Sequence, residues 1–211
     1  MTAITSMETA GPPPPWTMVW RAGRLASSGN ISSQGLLTCG RTLGSLAKFL
    51  PKNAPIVRAM PNTPAAIGRG ITVAVPNGRV KEDARRLAHL LLSATGPVEW
   101  IKNEKWMDAV TAVSGSGPAY VFLLAEALAR AGVAAGLSKP LAEKLARETV
   151  AGSGELLHRS EHDAAKLREN VTSRGGTTEA ALKVLMGKGG LETLMKKAIA
   201  AATKRSRQLA G

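Results

Sequence analysis

The sequence predicts an α/β segment followed by an all-helical region, mainly helical overall. Three observations predict it. The composition is 44% hydrophobic but only 3% aromatic, and a core built on alanine and leucine favours helices packed closely together. A strand, strand, helix, strand pattern is confined to residues 40–102, too short for a whole sheet domain and best read as part of one. From Glu104 onward the texture changes to one helical segment after another. The division proposed is therefore 1–39, unpatterned and irregular or disordered; 40–102, partial α/β; and 103–211, all-helical.

Residues 1–39 contain four consecutive prolines in "AGPPPPWTMVW", which lack donors and fix an extended backbone. The following "RAGRLASSGNISSQG" shows no apolar period. Order is expected from Gly40. "RTLGSLAKFL" sets Leu43, Leu46, Phe49 and Leu50 at helical spacing before Pro51 stops the helix. "APIVRAM", "GITVAVP" and "PVEWI" read as strands. Between the second and third, "VKEDARRLAHLLLSATG" reads as an amphipathic helix with Ala84, Leu87, Leu90 and Leu91 inward. The prolines and glycines of "PNTPAAIGRG" mark a loop. "SGPAYVFLLAEALARAGVAAG" is apolar around most of its circumference, so it belongs inside a bundle or between subunits. "SKPLAEKLARETVAGSGELLH" has Ser138 as a candidate N-cap and Pro140 in its first turn. "DAAKLRENV", "TTEAALKVLMG" and "GLETLMKKAIAAATKRSRQL" complete the helices.

The net charge is +13, from 28 basic and 15 acidic residues. From Lys183 onward seven basic residues and one acid are scattered along a helix with no aromatics between them. Such a face suits solvent better than stacked bases, so no nucleic-acid partner is expected. No apolar run reads as long and uninterrupted enough to span a bilayer, and no membrane partner is expected. The single Cys39 rules out an internal disulfide and suits a cytoplasmic location. No metal-ligand spacing is present, and His89, His158 and His162 read as structural or merely exposed.

The chemistry concentrates in "ENVTSRGGTTEAAL". Gly175 and Gly176 permit positive φ and a close approach to the backbone. Thr177 or Thr178 is expected to cap the next helix, whose first turn offers free N–H groups and the positive end of its dipole to a carboxylate or phosphate. A plain glycine loop followed by a cap would look the same when taken alone.

Three motifs in order remove that ambiguity: "VRAMPNTPAAIGRG", "AVSGSGPAYVFLLAEALARAGVAAGLS" and "LRENVTSRGGTTEAALKVL". From about Gly40 to the C-terminus they closely resemble the pyrroline-5-carboxylate reductase family. The resemblance implies a remnant of a Rossmann-like NAD(P)-binding domain followed by an all-α dimerisation and substrate-binding domain. It implies an oxidoreductase that reduces the cyclic imine 1-pyrroline-5-carboxylate to L-proline with NADPH or NADH, working as a homo-oligomer, a dimer or larger. It implies that Ser173 and the N–H groups of Gly175, Gly176 and Thr177 hold the substrate carboxylate. The Thr178 hydroxyl would polarise the imine as the catalytic residue, Glu161 would stand at the substrate site, and Asn170 would contact the cofactor. "AVSGSGPAY" is expected to serve packing, and Asn62 to shape a loop.

Two departures stand out. Arg174 occupies a loop position where the family commonly has proline. More seriously, the family opens with a strand, a GxGxxG turn and a pyrophosphate-binding helix, and no such turn occurs here. The expectation is a truncated or frameshifted reading frame, with a catalytically inactive, oligomerising fragment as the alternative to an enzyme.

Overall fold

The computed structural model describes residues 20–21, 36–38 and 41–210. They divide into two compact units, one made of the described residues up to Ser116 together with those from Ala201 onward, the other of Gly117–Ala200.

The first unit is built on a five-stranded sheet in sequence order: β1 (Trp20–Arg21), β2 (Leu36–Thr38), β3 (Ile56–Met60), β4 (Thr72–Pro76) and β5 (Val98–Trp100). The pairs β2/β3 and β4/β5 are parallel; β1/β2 and β3/β4 are antiparallel. Five residues of the stretch expected to be irregular, those of β1 and β2, are therefore paired strand. Strands of two and three residues are too short to show the alternation that periodicity detects. The rest of that stretch lies outside the described residues.

Strands β3 and β4 are buried on both faces, which is why both read as near-continuous apolar runs. On one face Val57, Ala59 and Ala74 pack on Ala88 of helix α2 (Glu82–Leu92). On the other, Val73 and Val75 pack on Met107 of helix α3 (Met107–Val110), with Leu43 and Ile101 alongside. The inward face of α2 is shifted from the expected one. Ala88 is its buried residue, whereas Leu87, Leu90 and Leu91 are exposed and Ala84 only half-buried. A small residue lets the helix lie close on this sheet, and the leucine stripe is left facing outward. Helix α1 is likewise shorter than its spacing suggested, Leu43–Ala47; Leu46 alone is buried and Phe49 is exposed.

Two close backbone approaches hold the loop between β3 and β4. Gly96, at φ +135°, lies against the Gly70 carbonyl, and a Cβ on Gly70 would meet the Ala65 backbone at 2.7 Å. The Asn62 side chain accepts from Ile71 N–H at 2.9 Å, so it does shape this loop. After α3 the chain makes a π-helical turn, Thr111–Gly115. There Gly115, in "AVSGSGPAY", meets the Met60 methyl so closely that a Cβ would overlap it.

The second unit is helical: α4 (Gly117–Ala134), α5 (Lys139–Arg159), α6 (Ala164–Asn170), α7 (Thr177–Leu185) and the first half of α8 (Leu191–Ala210). Helix α4 is followed by a turn at Gly136, φ +102°, and α5 packs back on it. Ala142 and Ala146 are buried in that contact, and a Cβ on Gly132 would stand 3.2 Å from the Ala142 methyl. No residue of α4 is buried. Val121, Phe122, Leu123, Leu124 and Leu128 are all substantially exposed, so in a single chain this apolar helix lacks the cover its composition requires. The stretch Glu104–Ala134 is also long and apolar enough to cross a membrane by length and composition alone, contrary to the sequence reading.

Candidate functional site: the glycine turn before α7

Helix α6 ends at Asn170, and Thr172 N–H bonds back to Glu169 O at 2.9 Å. The chain then makes a tight turn over Ser173, Arg174, Gly175 and Gly176, closed by Gly176 N–H to Ser173 O at 3.1 Å. Gly175 sits third in that turn with φ +74°, the signature of a type II turn, which requires a positive φ at that position. Gly176 is needed for space: a Cβ there would stand 2.5 Å from Ser173 Oγ and 3.1 Å from its carbonyl.

Gly176, not a threonine, is the N-cap of α7, and no side chain caps it. Thr177 and Thr178 are inside the helix, because the turn delivers the chain into it already extended at Gly176, φ −83° and ψ 172°. The first intrahelical bond is Ala180 N–H to Gly176 O at 3.2 Å. The N–H groups of Thr177, Thr178 and Glu179 precede it and have no helical acceptor.

Sequence reasoning missed Glu179. Its carboxylate, three residues into the helix, accepts from Gly175 N–H and stands 3.4 Å from Lys183 Nζ. Gly175 and Gly176 N–H are thus both engaged within the chain, leaving Thr177 and Thr178 to offer donors outward. The signal was present, since a glutamate third in a helix commonly reaches back to N–H groups before it.

The structure places Ser173, Gly175 and Gly176 in the turn and Thr177 and Thr178 in the first turn of α7 that follows it, with Thr178 half-buried and Ser173 and Thr177 exposed. Asn170 is three residues from it, at the end of α6, and is exposed. Glu161 is in the turn before α6, where His162 N–H bonds to Ser160 Oγ and Asp163 caps the helix through Lys166 N–H at 2.7 Å. The seven residues of α6 span about 10 Å, so Glu161 stands at the far end of that helix from the glycine turn.

A seat for a nucleotide pyrophosphate is a separate question. In α1, which follows the parallel strand β2, Leu43 N–H donates to the Glu104 carboxylate at 2.7 Å and Ser45 N–H to Thr42 Oγ1 at 3.0 Å. An internal carboxylate and the Thr42 cap already satisfy the start of this five-residue helix, so it offers no seat to a phosphate. With no GxGxxG in the chain, the described residues do not fit a pyrophosphate.

A mixed sheet unit followed by a helical unit whose apolar helix α4 is exposed makes this an α/β-plus-all-α protein. Comparison with known proteins gives the particular family. Residues 104–209 match the family of pyrroline-5-carboxylate reductase dimerisation domains. The chain is 46% identical over 173 residues to the pyrroline-5-carboxylate reductase of Synechocystis, covering 82% of this chain and 64% of that one. It is 43% identical over 203 residues to that of Mycobacterium leprae, covering 87% and 68%. Among solved structures it resembles the Coxiella burnetii enzyme at 41% identity and TM-score 0.77, covering 83% of this chain and 66% of that one. A Plasmodium falciparum structure with NADP bound matches at 34% identity and TM-score 0.70, covering 82% and 65%. The chain belongs to the pyrroline-5-carboxylate reductase family. It spans just under two thirds of the length of relatives such as the Synechocystis protein.

Proposed function

We propose that this chain takes part in the reduction of 1-pyrroline-5-carboxylate to L-proline, as an oxidoreductase drawing hydride from NADPH or NADH, and that its helical unit holds the substrate. The observation that carries the reading is the turn at 173–176, which leaves the Thr177 and Thr178 N–H groups open at the positive end of α7. A carboxylate there gains two backbone hydrogen bonds and the favourable end of the helix dipole. Ser173 Oγ, packed over Gly176, adds a further donor at the rim. The half-buried Thr178 hydroxyl is suited to donate to the imine nitrogen and draw electron density from the carbon that is reduced. Positioning provides most of the assistance such a carbon needs. Asn170, at the end of α6, is assigned to the cofactor side, and Glu161, before α6, to the substrate site.

The exposed apolar face of α4 supports association with a second copy in the cytoplasm, as dimer or larger. A Leu124→Glu chain is expected to sediment as a monomer where the wild type does not.

A second reading is favoured by the lack of a GxGxxG turn in the sequence: the chain is the substrate and oligomerisation part of the family without a cofactor seat, and is not an enzyme alone. NADPH oxidation by the purified chain, with and without 1-pyrroline-5-carboxylate, separates the two. Substrate-dependent oxidation that disappears in Thr178→Ala supports the enzyme. No oxidation from a folded, oligomeric chain supports the second reading.

A further inference from the structure

The carboxylate reading leaves unexplained how the turn keeps its shape. A type II turn favours proline in its second position, where the ring presets φ near the required value. Here that position is Arg174, whose backbone is free to leave the turn, and Gly175 beside it is the most permissive residue available. Yet the next two amides, Thr177 and Thr178, must converge on one small anion. Something outside the four turn residues has to hold them.

Glu179 has the contacts to do so. It grips Gly175 N–H from inside α7, so the third residue of the turn is tied to the helix that follows it. Its side chain is 34% exposed and its other oxygen faces Lys183, one helical turn on. The lysine offsets a negative charge that would otherwise oppose an incoming carboxylate.

We propose that Glu179 is a positioning residue for the carboxylate site. By holding Gly175 it keeps the Ser173–Gly176 turn in the form that presents Thr177 and Thr178, replacing from the helix side the restraint that a proline at 174 would supply. It does not touch the ligand. The proposal rests on the carboxylate reading above and adds to it a residue that reading does not require.

The test uses the full ¹⁵N-labelled chain with L-proline as probe, following the Gly175, Thr177 and Thr178 amides. In the wild type, proline is expected to shift Thr177 and Thr178 while Gly175 exchanges slowly. Glu179→Ala should speed Gly175 exchange and weaken proline binding about tenfold, the scale of one hydrogen bond to a charged group. Glu179→Gln, which keeps an acceptor oxygen, should lose less. Arg174→Pro added to Glu179→Ala should restore affinity to within about threefold, a rescue that loss of general stability would not show. If Glu179→Ala binds proline as well as or better than the wild type, or if Arg174→Pro restores nothing, the positioning role is wrong. A wild type whose Thr177 and Thr178 amides ignore proline sinks the carboxylate reading itself, and this inference with it.

Discussion

Replacing Glu104 tests the account of the sheet unit most sharply. Arg58 lies in β3 with 4% exposure, and its guanidinium reaches Glu104 Oε1 at 2.9 Å. The same oxygen accepts from Leu43 N–H at 2.7 Å. Glu104→Ala therefore leaves a buried cation without its carboxylate and a helix start without its acceptor. Breaking a fully buried pair costs about 3–5 kcal/mol. Glu104 is itself 28% exposed, so water can partly replace it, while the lost backbone bond adds about 1 kcal/mol. The expected loss is about 3 kcal/mol. With a urea dependence of roughly 1.5–2 kcal/mol per molar, the midpoint should fall by about 1.5–2 M. All four tryptophans lie at or before position 106, so their fluorescence follows the sheet unit, whereas far-ultraviolet circular dichroism is dominated by the helical unit. The fluorescence transition should move and the dichroism transition hold. A double variant, Arg58→Met with Glu104→Leu, should recover most of the loss, because it removes the stranded charge along with its partner. A Glu104→Ala fluorescence midpoint within about 0.3 M of the wild type would refute the reasoning.

Other expectations follow from single contacts. Gly96→Ala should cost about 3 kcal/mol, since it adds a strained positive φ to a backbone overlap with Gly70; thermal unfolding followed by tryptophan emission checks it. Gly115→Ala should cost about 1–2 kcal/mol, because the atom in its way is the flexible end of Met60, and Met60→Ala in the same chain should make the change nearly neutral. Lys196, hydrogen-bonded to Glu192 and beside it in charge, holds the Glu192 carboxyl below its ordinary value of 4.5. A lowered folded value means the pair supports α8 above that pH and loses its support as acid protonates the carboxyl. Helix content in acid titration should show this in the wild type and not in Glu192→Gln.

Which parts of the molecule were legible in the sequence follows from the range of the forces involved. The strands Ile56–Met60 and Thr72–Pro76, the long helices and the glycine turn are written locally, in apolar period, in proline and glycine placement, and in the need for a positive φ at Gly175. Three motifs in a fixed order were enough to place the chain in its family. Tertiary structure decided what depends on residues far apart. The short strands Trp20–Arg21 and Leu36–Thr38 exist because neighbouring backbone pairs with them, and no pattern of two or three residues announces that. The buried side of α2 is set by how closely Ala88 can approach Val57 and Ala74, whereas its own periodicity pointed to the leucines. Glu104 finds Leu43 across sixty-one residues, and Gly176 displaces the threonines as the cap because the turn before it sets the chain's entry angle. The residue types that bear the chemistry are a local matter. Which of their N–H groups stay open for a ligand is settled by partners that only the folded chain supplies, because a buried or half-buried donor takes whatever acceptor the fold brings within reach.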